Sequence, residues 1–99
     1  MTLLHGTKNP EKIKNEYLEK ILNVTKRNES KLMDRLKRNE PILRLISKYQ
    51  SEDISEEDSE RLRYFLIESI QQLSAFRSII LPKSLFSLPV LFKLFPQSN

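Results

Sequence analysis

A single glycine, Gly6, has to serve a chain of 99 residues, and that scarcity limits the fold more than any other feature. Tight β-hairpins need backbone at positive φ, which glycine supplies without steric cost. A sandwich or barrel with many two-residue turns is therefore excluded. Charged residues make up 30% of the chain and hydrophobic ones 38%, a balance that suits helices with one exposed face rather than a sheet buried on both sides. The expected class is all-α, a small bundle of about four helices in one domain, since a chain of this length builds one modest core at most.

The helix starts are marked by their capping chemistry. Asn9-Pro10-Glu11 places a side-chain acceptor before a proline and an acid, the pattern of N-cap, first helical position and first turn. From there Ile13, Tyr17, Ile21 and Val24, widened by Leu18 and Leu22, recur at helical spacing, as one buried face requires. The stripe thins through Leu32, Met33 and Leu36 to about Arg38, with a weak point near Asn28. Asn39-Glu40-Pro41 repeats the opening pattern, and an interior proline costs roughly 3 kcal/mol, so a second helix restarts there and runs to about Gln50. Ser55-Glu56-Glu57-Asp58 opens a third helix with a serine cap and acids that match the helix dipole. Leu62, Phe65, Leu66, Ser69, Ile70, Leu73 and Phe76 keep its spacing.

Beyond Phe76 the pattern changes. Ile79 to Pro96 is rich in leucine and phenylalanine, holds Lys83 and Lys93 but no acid, and is punctuated by Pro82, Pro89 and Pro96 at intervals of seven. Each proline disfavours helix in the residue before it, so no single helix spans the segment. Ser84 and Ser87 are plausible caps, and a short helix from about Ser87 or Leu88 to Phe95 would gather Leu88, Leu91, Phe92 and Phe95 on one face.

Several chemistries are excluded outright. The chain has no cysteine, so thiolate zinc sites and cysteine nucleophiles have no residues to use, and its one histidine, His5 beside Gly6, reads as a solvated side chain rather than a metal ligand or relay. One glycine cannot build a phosphate-cradling loop. The acids from Glu52 to Glu60 lack the alternating ligands and central glycine of a calcium loop, and a capped helix start accounts for them. No catalytic, cofactor or metal residues are assigned, a small-molecule substrate is not expected, and the chain reads as a non-enzyme. Met1 to Gly6 lacks the features of a signal peptide, which reads as a cytoplasmic protein.

What remains is binding. The net charge of +4 hides three blocks: residues 8 to 48 are strongly basic, 49 to 76 acidic, and 77 to 99 basic again. On a helix Arg27, Lys31, Arg35 and Arg38 fall near one face, a stripe that could contact phosphates of a nucleic acid or ribosome. The alternative is a solvated face neutralised by Glu29, Asp34 and Glu40, or by the acidic block folding back. The apolar segment has its own alternatives. Phe86, Leu88, Leu91, Phe92 and Phe95 could bind a protein partner or a second copy, could dip into a membrane surface with Lys83 and Lys93 at the headgroups, or could cap the chain's own helices.

Residues 52 to 96 also resemble the C-terminal part of the Letm-type domain of the leucine-zipper, EF-hand-containing transmembrane proteins. The shared order is an acidic helix start, an amphipathic helix, then a proline-punctuated run: Leu81-Pro82-Lys83-Ser84 followed by Leu88-Pro89-Val90-Leu91-Phe92-Lys93-Leu94-Phe95-Pro96. The family's segment usually carries glycine after its first proline, where this chain has Lys83, and a further extension that is missing here. The resemblance implies a helical domain of ribosome-binding or membrane-proximal type and supplies neither catalytic residues nor transport.

Taken together, the sequence predicts a single helical domain: an arm over residues 1–8, a basic helical region over 9–50, and an acidic helix start with an apolar closing segment over 51–99. The leading expectation is a protein–protein interaction module or small regulator or inhibitor, self-associating or gripping a partner. Nucleic-acid or ribosome binding through Lys26 to Arg38, and peripheral membrane association through the C-terminus, are the alternatives.

Overall fold

The computed structural model describes residues 10–95, with side chains from Asn15 onward. The expected arm, His5, Gly6 and Pro96 lie outside the described residues. Five helices follow one another without any strand among the described residues: α1 (Pro10–Arg27), α2 (Glu29–Lys37), α3 (Glu40–Gln50), α4 (Glu56–Gln71) and α5 (Leu88–Leu94). Two single 3₁₀ turns, Ser74–Phe76 and Lys83–Leu85, lie in the connection between α4 and α5. The protein is an all-α helical bundle.

The weak point at Asn28 is a break. Its amide is shared between the carbonyls of Val24 and Thr25 at 3.2 and 3.1 Å, and its side chain donates to Val24 O at 2.8 Å. An asparagine that satisfies the end of one turn with its own amide competes with helix continuation, so the long basic helix expected to reach Arg38 becomes α1 and α2. At the next boundary Asn39 Oδ1 accepts from Ile42 N at 3.2 Å with Pro41 in the first turn, and Ser55 Oγ accepts from Asp58 N at 3.1 Å. Both caps fall where the sequence placed them.

The α3 end shows how the chain manages without glycine. Glu52 takes φ of 58°, Glu52 N bonds Tyr49 O at 3.1 Å and Asp53 N bonds Lys48 O at 2.9 Å. This is a Schellman cap with glutamate in the left-handed position that glycine normally fills. At its other end α4 stops at Gln71, short of the five turns its apolar spacing implied. Leu73 and Phe76 are still buried, but from a 3₁₀ turn rather than from the helix.

The core gathers Ile21 from α1, Leu32 and Leu36 from α2, Ile42 and Leu45 from α3, Leu62, Leu66, Ile67 and Ile70 from α4, and the C-terminal segment. Of that segment's large aliphatic and aromatic side chains, Leu81, Phe86, Leu88, Leu91, Leu94 and Phe95 are buried, Leu85, Val90 and Phe92 half-buried, and only Ile79 and Ile80 exposed. The face expected on α5 is shifted, since Leu94 joins it and Phe92 lies at its edge, stacked on Tyr49 at 4.9 Å between centroids. Burying an apolar side chain of this size is worth roughly 1.5–3 kcal/mol, and a domain this small cannot forgo that area.

Two polar side chains on α4 lash the segment down. Arg63 donates through Nε to Phe86 O and through Nη2 to Lys83 O, each at 2.6 Å. Gln71 donates through Nε2 to the carbonyls of Phe76 and Ile79 and accepts from Leu81 N through Oε1. Carbonyls and amides in irregular backbone need partners when water is excluded, and α4 supplies them.

Candidate functional site

The apolar partner-binding residues expected from the sequence are not presented outward. Phe86, Leu88, Leu91 and Phe95 are buried in the chain's own core, and Phe92 packs on Tyr49. These residues thus cap the chain's own helices, with Phe92 half-buried at the edge. No helix among the described residues is long and apolar enough to cross a membrane.

The expected phosphate contacts divide. Arg27 ends α1, ahead of the break, and stands exposed apart from the others. Lys31, Arg35 and Arg38, spaced by four and three, lie on the side of α2 opposed to neither solvent alone nor core alone. They line a surface pocket of about 500 Å³ together with Asp34, Asn39 and Phe65 of α4. Leu32 and Leu36 bury the other side of α2 and so fix which way the basic side faces.

Arg35 is the organised member. Its Nε donates to Ser69 Oγ at 2.7 Å, its Nη1 donates to Gln72 Oε1 at 3.0 Å, and its Cζ sits 5.0 Å from the centroid of Phe65. Ser69, 2% exposed, in turn donates to Phe65 O at 2.8 Å. The guanidinium is thus held over an aromatic ring by uncharged acceptors on α4, which orient it without neutralising it. Its Nη2 donates to no protein group among the described residues, and a guanidinium carries five donors in a fixed fork.

The carboxylates expected to neutralise the stripe reach only its last member, Arg38. Asp34 pairs with Arg38 at 3.3 Å, both side chains well exposed, an interaction worth a few tenths of a kcal/mol. Glu40 turns to Arg44 at 3.4 Å. In the acidic block Asp58 pairs with Lys48 and Arg61, and Glu60 with Arg63. None of these contacts reaches Lys26, Arg27, Lys31 or Lys37, which have no ion pair among the described residues. A second, smaller pocket of about 210 Å³ is lined by Lys26 and Glu29 on one side and Lys93, Leu94 and Phe95 of the α5 end on the other.

Phe65 and Asn39 complete the pocket's lining, Ser69 and Gln72 hold Arg35 from behind it, and the sequence did not single out any of the four as functional. The signal was Ser69, a small polar residue inside an apolar helical stripe. Such a residue needs a buried partner, and here the partner is Arg35.

No family model matches the chain, and no curated protein or solved structure matches it either. The Letm-type resemblance of residues 52 to 96 therefore rests on its motif alone and assigns no role to any residue of this pocket.

Proposed function

We propose that this protein is a binding module for the phosphate backbone of single-stranded nucleic acid, with the α2 pocket as its contact point. The observation that carries this reading is Arg35, oriented by Ser69 and Gln72 on the ring of Phe65 and flanked by Lys31 and Arg38. Preorganised guanidinium groups bind phosphate with less loss of side-chain freedom than free ones. The exposed plane of the same group stacks a splayed base, as arginines do in single-strand recognition. Lys26, Arg27 and Lys37, without carboxylate partners, extend the positive field and speed the encounter. A ribosome presents the same phosphate chemistry and falls within the reading.

Fluorescence anisotropy with a short labelled RNA or DNA strand tests it. If Lys31, Arg35 and Arg38 each neutralise one phosphate, log affinity falls against log salt with a slope of about −2. The double variant K31Q/R38Q reduces the magnitude of that slope to about 0.7. A salt-independent affinity, or a slope that the double variant leaves unchanged, overturns the proposal.

A further inference from the structure

The connection between α4 and α5 is fastened from behind and apolar in front. Gln71 holds the backbone at Phe76, Ile79 and Leu81, Arg63 holds it at Lys83 and Phe86, and Phe76 and Leu81 are buried on either side. Between these anchors Ile79 is 50% and Ile80 90% exposed. Two β-branched aliphatic side chains are thus displayed on backbone that a domain short of apolar area would otherwise fold inward. Beside the tip stands Tyr64, 51% exposed, with Lys83 Nζ 4.4 Å from its ring centroid and 3.4 Å from its hydroxyl. Arg77 and Lys83 flank the isoleucines and are exposed, and no acid occurs anywhere after Glu68. On the adjoining side of α4, Glu60 is tied to Arg63 and Glu68 is half-buried.

We propose that Ile79 and Ile80 insert into the interface of an anionic lipid bilayer, with Arg77 and Lys83 at the headgroups and Tyr64 at the boundary. The patch consists of Ile79, Ile80 and the half-exposed Tyr64, too few side chains to supply the roughly 800 Å² per partner of a stable protein interface. A bilayer needs neither shape complementarity nor a large patch. It takes an aliphatic tip below the headgroups, cations among them and a tyrosine between.

The chain has no tryptophan, so I80W is a clean reporter. On mixing with phosphatidylserine–phosphatidylcholine vesicles its emission shifts to the blue and is quenched by lipid brominated high in the acyl chain; an unchanged spectrum overturns the proposal. In vesicle co-sedimentation I79S/I80S loses at least about tenfold in binding, and R77Q/K83Q about 30-fold, near 1 kcal/mol for each cation. Ile80 and Arg77 are exposed, Ile79 is half covered and the Lys83 side chain touches only Tyr64 among the described residues, so both variants stay folded, which their retained helical signal in circular dichroism verifies. Binding that survives I79S/I80S but is lost in K31Q/R38Q would move the headgroup contact to the α2 pocket. Self-association in sedimentation equilibrium that I79S/I80S abolishes, without lipid binding by the wild type, would assign the tip to a second copy. Either result refutes insertion.

Discussion

Replacing Arg63 with methionine keeps the aliphatic stem on α4 and removes both hydrogen bonds to the C-terminal segment. The Phe86 carbonyl, on a residue 1% exposed, loses a charged donor at 2.6 Å, whereas the Lys83 carbonyl lies where water can replace the guanidinium. A hydrogen bond to a charged group is worth about 1.5–3 kcal/mol and an abandoned buried acceptor costs about 1–3 kcal/mol. The Lys83 bond adds little beyond its water substitute, so the expected loss is about 2–4 kcal/mol. For a domain of this size that lowers the thermal midpoint by at least about 8 °C. The ion pair with Glu60, a carboxylate side chain 69% exposed, contributes below about 0.5 kcal/mol, so E60Q isolates it. R63K keeps the charge but cannot bridge both carbonyls with a fixed fork, and it falls between. Urea denaturation followed by circular dichroism reads all three variants against the wild type. If R63M costs no more than E60Q, the lashing of the segment through Arg63 is refuted.

Four further outcomes follow from the same structure. Leu91 is 0% exposed in the middle of α5, and L91A costs about 2–5 kcal/mol in urea denaturation, a large part of the total stability of a domain this small. Glu52 holds the left-handed cap of α3, so E52G stabilises by about 0.5–1 kcal/mol, seen as a higher thermal midpoint. Ser55 caps α4 through Asp58 N, and S55A lowers stability by about 1 kcal/mol in the same assay. Burial raises the Tyr17 phenol above its ordinary value, near 10. Its neutral form is thus favoured by folding: stability is unaffected below about pH 10 and falls as pH rises through the folded pKa, and Y17F removes that part of the alkaline loss.

The fold was legible where local chemistry decides it. Asn39-Glu40-Pro41 and Ser55-Glu56-Glu57-Asp58 start α3 and α4 because their side-chain acceptors meet orphan amides within three residues. The prolines at 82 and 89 likewise broke the C-terminal segment where their rings required it. The break at Asn28 was visible only as a weakness, since the asparagine competes with the helix by a margin that tertiary packing settles. Glu52 was illegible because a left-handed glutamate carries no signal of its own. At the candidate site, spacing alone brought Lys31, Arg35 and Arg38 together, but not Arg27, which lies before the Asn28 break and does not line the pocket. Phe65, Ser69 and Gln72 were hidden for a different reason: their roles arise where α4 and its C-terminal end meet α2, and Ser69 and Gln72 are 34 and 37 residues from Arg35 along the chain.

The pocket on α2 is most directly tested by side-chain NMR of Arg35. Its Nε–H, bonded to Ser69 Oγ at 2.7 Å, is protected from exchange and observable. Titration with a short single-stranded RNA is expected to move the resonances of Arg35 Nε, Lys31, Arg38 and Asn39 together while those of Arg77 and Lys83 stay in place. Shifts confined to other surfaces, or an Arg35 signal that does not respond at saturating RNA, would contradict the assignment of this pocket as the phosphate site.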